Sequence, residues 1–212
     1  MNDGTLAILT QWCFLCLIWM GVFDGALHRW GIKRAGALAV VTLFLVCTFV
    51  NWRLYVFPAI SVSISGAILP FLCAGWLYSR QQNGPKRMYV IIGAGVGTVL
   101  FWFRWLLFTD PILAIWDVRW MLPVCAVFAA LTVSRSGVTQ MFLLLLSLSL
   151  SDLLYSLYEW KLTGSCLVGN EYAHDLLWSA FSLWGVCAAS WALARLLFRF
   201  AGRNTSNSDR NR

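Results

Sequence analysis

The sequence predicts an all-α fold, a transmembrane bundle of about seven helices. Composition favours a bilayer as the solvent, because 60% of the 212 residues are hydrophobic and only 12% are charged. A soluble domain usually carries about 25% charged residues. The chain also has 13 Trp and 14 Phe residues, and Trp is favoured where an apolar ring ends at a hydrated headgroup layer.

Seven apolar runs follow one another along the chain. Most are close to the ~20 residues that cross a hydrocarbon core of ~30 Å. They cover residues 5–23, 35–50, 58–78, 88–108, 119–133, 138–158 and 176–198. The second and fifth runs are short, and the apolar flanks 51–57 and 112–116 are expected to complete those crossings. Since the connections are too short for a soluble domain, residues 1–200 are predicted to form one transmembrane bundle.

The positions of Lys and Arg predict the orientation. With the amino terminus outside, the basic residues fall in cytoplasmic segments, as the positive-inside rule requires. Four of the 16 are exceptions at the outer ends: Arg53, Arg104, Arg119 and Lys161. The carboxyl terminus is then cytoplasmic. Its last segment, 201–212, is basic, polar and without apolar periodicity, so it is predicted to be a disordered tail.

The net charge of +7 raises the question of a nucleic-acid partner. The basic residues form short clusters between apolar runs rather than one continuous basic face. Such clusters are typical of contact with anionic lipid headgroups at the cytoplasmic face. The expected partners are therefore the bilayer and other membrane proteins, and no nucleic acid.

Two charged residues are predicted to lie at membrane depth, Asp152 in the sixth helix and Arg104 in the fourth. The two helices run in the same direction, which places both charges at a similar depth in the outer half. An intramembrane charge costs a few kcal/mol on insertion scales and normally finds a partner inside the bundle. One interpretation is an outward-facing polar cavity lined also by Glu159, Arg53 and Arg119. The other is an interhelical clamp, with Arg104 reaching toward the outer headgroups.

Cofactor and catalytic sites are not indicated. Haem between two helices needs His ligands at matching depth, whereas His28 falls in a cytoplasmic loop and His174 in an outer one. The same shortage argues against a zinc site. Gly93 and Gly97 lie within a hydrophobic helix and indicate a close helix contact rather than a nucleotide loop. Cys166, the one Cys in an outer loop, is expected to be available for cross-linking a dimer.

Short motifs spread over most of the chain carry a family resemblance. They are the segment 62–70 (VSISGAILP), Tyr78-Ser79-Arg80, Asp110-Pro111, Asp117 and Asp152. With them the chain resembles the YphA family of small bacterial multi-pass membrane proteins. The resemblance implies a protein of the bacterial cytoplasmic membrane, and it brings no catalytic or binding residues with it.

Two classes of function remain after these exclusions. A non-enzymatic organising or partner-binding subunit would use its helix faces and outer loops, with Arg104 and Asp152 as structural residues. A small transporter or membrane sensor would instead use those two residues to line a water-filled path. The first class is favoured because no catalytic set is recognised in the sequence.

Overall fold

The computed structural model describes residues 4–50, 52–57, 60–81, 86–109 and 117–209. The predicted outer motif Asp110-Pro111 and the flank 112–116 lie outside these ranges. Eight α-helices are present in the described part: α1 (Thr5–Trp19), α2 (Asp24–Arg29), α3 (Arg34–Val50), α4 (Leu69–Arg80), α5 (Lys86–Thr109), α6 (Val118–Val133), α7 (Gly137–Thr163) and α8 (Glu171–Asp209). The other elements are β1 (Arg53–Phe57), β2 (Ile60–Ser63), β3 (Cys166–Val168) and a π-helical turn (Ile64–Ile68).

Helix α7 is the centre of the bundle. It contacts α4, α5, α6 and α8, and 61% of its most apolar 18-residue window is buried, against 28% for α5. Leu144 of α7 and Ala180 of α8 are fully buried in the main core. By length and composition, α5 and α7 are the described helices that are both long and apolar enough to span a membrane, and α1, α3 and α6 are shorter apolar helices.

A three-stranded sheet corrects the predicted start of the third helix. The sequence predicted one helix over 58–78, but β2 occupies Ile60–Ser63 and helix α4 begins only at Leu69. β2 pairs antiparallel with β1 and parallel with β3. The four residues of β2 alternate β-branched side chains with serine, a pattern that suits a strand with neighbours on both sides. The flank 51–57, expected to complete a second crossing, likewise contributes β1.

The sheet defines one end of the bundle, called here the sheet end, where α1, α4, α6 and α8 begin. At the opposite end Arg80 Nη1 donates a hydrogen bond to the Gly31 carbonyl at 3.3 Å. Helix α8 starts five residues before its predicted span 176–198 and its backbone continues to Asp209. The predicted tail, 201–212, therefore begins as a continuation of this helix. The disorder and the cytoplasmic location expected for the tail stay predictions.

The first and last helices are joined at the sheet end. The buried carboxylate of Asp175, the fifth residue of α8, accepts hydrogen bonds from the backbone amides of Gly4 and Ala7, both at 2.8 Å. Amides at a helix start have no partner within their own helix, and a carboxylate there also interacts favourably with the helix dipole. Asp175 thus caps α1 from another helix, so α1 and α8 begin side by side.

Candidate functional site

The structure brings Arg104 and Asp152 together near the sheet end. Arg104 Nη1 lies 3.3 Å from Asp152 Oδ1. The two residues are only 8% and 6% exposed. Arg104 is one turn before the end of α5, and Asp152 is on the buried face of α7. Arg104 and Asp152 were predicted to lie at a similar depth because their helices run in the same direction. This placement allows the two side chains to meet.

Every charged group of this pair has further partners. The second oxygen of Asp152, Oδ2, accepts a hydrogen bond from the backbone amide of Gly169 at 2.8 Å. The guanidinium carbon of Arg104 lies 3.7 Å from the ring centroid of Tyr155 and 5.0 Å from that of Tyr172, so both rings contribute cation–π attraction. Beside the pair the free volume is about 10 Å³. That is space for one water molecule and no solute.

Two glycines allow the loop before α8 to reach Asp152. Gly169 has φ +72°, and a Cβ atom there would lie 2.6 Å from the backbone nitrogen of Ala67. A Cβ atom at Gly66 would collide with the carbonyl oxygen of Gly169. The π-helical turn and this loop therefore touch through their backbones. The contact holds the Gly169 amide against the carboxylate of Asp152.

The other three predicted residues do not join Arg104 and Asp152 in one cavity. Arg119 lies 5.9 Å from the Tyr172 ring, so it shares that ring with Arg104. Arg53 pairs with Glu171 at 3.9 Å on the other side of the α8 start. Glu159 is half-buried on α7, about two turns after Asp152. No cavity lined by all five side chains is found in the part of the chain that the structure describes, and the outward-facing cavity stays a hypothesis.

A second polar cluster surrounds His174, which the sequence placed in an outer loop. That placement was wrong, because His174 lies in the first turn of α8 and is 3% exposed. Its Nε2 accepts from Trp178 Nε1 at 3.2 Å and lies 3.3 Å from Gln11 Nε2. Thr48 Oγ1 is 3.5 Å from the same nitrogen. The Trp178 N–H can only donate, so the ring proton belongs on Nδ1.

Sequence reasoning missed this cluster because its members are single polar residues on three different helices. The available signal was the pair His174 and Trp178, four residues apart on one helix face. Gln11 offered a second signal, as a polar residue in the middle of an apolar run. It is fully buried, and its Oε1 atom has no hydrogen-bond partner among the described residues.

Cys166 is not available for cross-linking, contrary to expectation. It lies in β3 and is 2% exposed, because β3 packs between β2 and α7. Burial raises the pKa of the Cys166 thiol, and the negative charge of Asp152 raises it further. All seven cysteines are free.

The model of one protein family matches residues 10–212, nearly the whole chain, and its description is YphA-like integral membrane protein. The chain belongs to this family. The resemblance deduced from short motifs is thereby confirmed, and the protein is an integral membrane protein. No curated protein and no solved structure matches the chain.

At the sheet end the described residues of this YphA-like protein form two polar clusters, and the described part of the chain has no group of three His, Cys, Asp or Glu side chains that could hold a metal ion. In the cluster of Arg104 and Asp152, all charges are satisfied by neighbouring groups. This arrangement can join α5, α7 and the loop before α8. The cluster around His174 borders open space.

Proposed function

We propose that this YphA-like protein is a non-enzymatic, multi-pass protein of the bacterial cytoplasmic membrane that binds or organises other membrane proteins. The observation that carries the proposal is the closed state of the Arg104–Asp152 pair. A transporter or sensor working through these residues needs a path for water or solute, and only about 10 Å³ is free beside them. The pair therefore acts as an interhelical clamp.

The proposed orientation has the amino terminus outside and the basic carboxyl terminus in the cytoplasm. Its support is the distribution of Lys and Arg, which follows the positive-inside rule. In this orientation the sheet end faces outward. The basic segments at the opposite end then contact anionic headgroups of the inner leaflet.

The exposed face of α5 is the surface that best fits a partner helix. α5 is less buried than α7, and one face of it carries exposed residues at spacings of four, four, three and four. These residues are Ile91, Gly95, Val99, Trp102 and Leu106. A Cβ atom at Gly95 would meet nothing within 4 Å. A small residue at the middle of such a face admits another helix closely.

Site-specific photo-crosslinking in the native membrane tests this proposal. A photoreactive amino acid replaces Val99, which is 66% exposed, and in a matched control it replaces Leu100, which is 3% exposed. We expect a discrete cross-linked protein band from position 99 that disappears in a Gly95→Leu variant. Cross-links from position 99 to lipid only, with no protein band, would contradict partner binding through α5.

A further inference from the structure

Exposed basic residues of three separate chain segments converge at the end of the bundle opposite the sheet, called here the basic end. The segment from α2 to α3 carries Arg29 and Lys33. The end of α4 carries Arg80, and the connection from α6 to α7 carries Arg135. All four residues are exposed. They are far apart in the sequence, so the fold is what brings them to one end.

Three contacts join these segments in pairs. Arg80 Nη1 donates to a carbonyl of the α2–α3 connection at 3.3 Å. The start of α7 packs on the same connection, since a Cβ atom at Gly137 would lie only 2.7 Å from Trp30 Cζ2. The end of α4 is joined to α7 by a buried hydrogen bond from Gln81 Nε2 to Thr139 Oγ1, at 2.9 Å. The four cations therefore lie around one common area of the surface.

This area has a positive charge that the described residues do not neutralise. Asp24, the acidic residue on α2, pairs with Arg34 at 3.7 Å. None of the four cations has an ion-pair partner in the part of the chain that the structure describes. The Arg80 guanidinium also lies 5.6 Å from the ring centroid of Trp76, which helps to fix its orientation. A guanidinium offers a rigid fork of N–H donors that matches phosphate oxygens, so the area suits a ligand with more than one phosphate.

An exposed apolar face of α4 leads away from Arg80 toward the sheet end. Leu72 and Trp76 precede Arg80 by eight and four residues, so the three side chains lie on one face of the helix. Leu72 is 64% exposed and Trp76 is 38% exposed. A lipid with its phosphate at Arg80 can lay an acyl chain along Trp76 and Leu72. A soluble phosphate compound gains nothing from this face, so the arrangement favours a lipid as the occupant.

We propose that the basic end binds one molecule of a lipid with two phosphate groups, of the cardiolipin type, between the α2–α3 connection, the end of α4 and the α6–α7 connection. Basic sites of this kind at helix ends bind such headgroups. Two phosphates joined by glycerol can contact cations of different segments at once, whereas a single phosphate reaches fewer of them. The inference rests on the proposed contact of this end with anionic headgroups and gives that contact a defined site.

Native mass spectrometry of the full-length protein, titrated in a non-ionic detergent with tetraoleoyl cardiolipin, tests the site. We expect binding to saturate at a single cardiolipin per protein. Dioleoyl phosphatidylglycerol, compared at equal total phosphate, should bind at least about tenfold more weakly, because one phosphate meets fewer of the cations. Equimolar inorganic pyrophosphate should leave the bound cardiolipin in place, since it cannot use the apolar face of α4.

Two variants, Lys33→Gln and Arg135→Gln, locate the binding. Both positions are exposed, so the lipid-free variants should unfold at the same temperature as the unchanged protein. Each change should weaken cardiolipin binding about fivefold, the effect of one cation near a headgroup. Lys161→Gln is the matched control, because Lys161 is an exposed cation at the sheet end and its loss changes the net charge equally.

The outcomes separate the defined site from the general contact with headgroups. Equal binding of both lipids at equal phosphate would overturn the defined site and leave the general contact standing, whereas binding of neither lipid would overturn both. Displacement of cardiolipin by pyrophosphate would identify a soluble diphosphate as the ligand and overturn the lipid. Lys33→Gln and Arg135→Gln variants that bind cardiolipin as well as the Lys161→Gln control would also overturn the proposal.

Discussion

Two polar sites at the sheet end lie on either side of the start of α8, and they differ in what fills them. Around Arg104 and Asp152 the partners are a full ion pair, a backbone amide and two aromatic rings, and about 10 Å³ is left free. Around His174 the partners are neutral, and about 160 Å³ stays open. A buried charge needs a partner of opposite charge in direct contact, whereas neutral polar groups can border open space. Prominent charges in an apolar sequence therefore marked both charged residues of the closed site but only Arg53 of the open one.

The strongest test of the closed site is to remove one charge at a time. Asp152→Asn keeps an oxygen for the Gly169 amide but leaves Arg104 buried without its counterion, and Arg104→Gln does the reverse. Each single change should lower the free energy of unfolding by about 3–5 kcal/mol. The double variant should recover part of the loss, as read from thermal unfolding in detergent.

The exposed pair formed by Asp24 and Arg34 provides the reference for this cycle. Its side chains are about half exposed, so Arg34→Gln should change stability by at most about 1 kcal/mol. Strictly additive losses in the Arg104 and Asp152 double variant would show that the two charges do not act as a clamp.

The backbone contact between Gly66 and Gly169, which holds the Gly169 amide against Asp152, is expected to be the next most sensitive to substitution. Gly66→Ala places a Cβ atom against the Gly169 carbonyl, and overpacking of this kind costs about 1–3 kcal/mol. Gly95→Ala, where a Cβ atom meets nothing within 4 Å, should be neutral or stabilising by up to about 1 kcal/mol. Equal melting temperatures for the two alanine variants would refute the described approach of the loop to the π-helical turn.

The cap that lies next to the open site should have a smaller effect. Asp175→Asn removes the negative charge and one of the two oxygens that accept from Gly4 and Ala7, and loss of such a cap costs about 1–2 kcal/mol. Hydrogen exchange should show the loss as faster exchange confined to the first turn of α1. The clamp variants should instead accelerate exchange in α5 and α7. If Asp175→Asn loosened all helices equally, the cap would not be a local feature.

Thiol labelling tests which side of the membrane the sheet end faces, and it does not depend on a change in stability. Cys166 is buried and its pKa is raised, so little reactive thiolate forms at neutral pH. A variant with Cys166 as its only cysteine should react slowly with an impermeant reagent. Ser165→Cys in a chain lacking the other cysteines should react quickly from outside intact cells, because position 165 is exposed. Fast labelling of that cysteine only after the cells are opened would reverse the proposed orientation.

How much of the structure can be predicted from the sequence depends on the kind of sequence pattern that specifies each element. Runs of apolar residues predict α5 and α7 well, since length and composition alone decide them. They mispredict residues 60–63, because a short apolar segment is compatible with a helix or a strand until its partners are known. The neighbours of β2 are β1, nearby in sequence, and β3, about a hundred residues later, and only the folded chain brings β3 there.

The candidate sites also divide into features that sequence patterns predict and features that only long-range packing brings together. Helix direction and residue counting suffice to match the depth of Arg104 and Asp152. The third partner, the Gly169 amide, depends on a glycine contact that no local pattern specifies. His174 was assigned to a loop because the polar residues before it resemble a connection, although they form the first turn of α8. Whether such a turn is buried depends on long-range packing, and the periodicity of the sequence gives no information about long-range packing.

The cap on α1 has a consequence for the order of synthesis. Asp175 follows the amides of Gly4 and Ala7 by 171 and 168 residues. At a translation rate of about 5–20 residues per second, these amides wait on the order of 10–30 s for their acceptor. Helix α1 thus completes these hydrogen bonds only after α8 has been synthesised. A nascent chain cut short before α8 lacks this acceptor, so α1 stays uncapped.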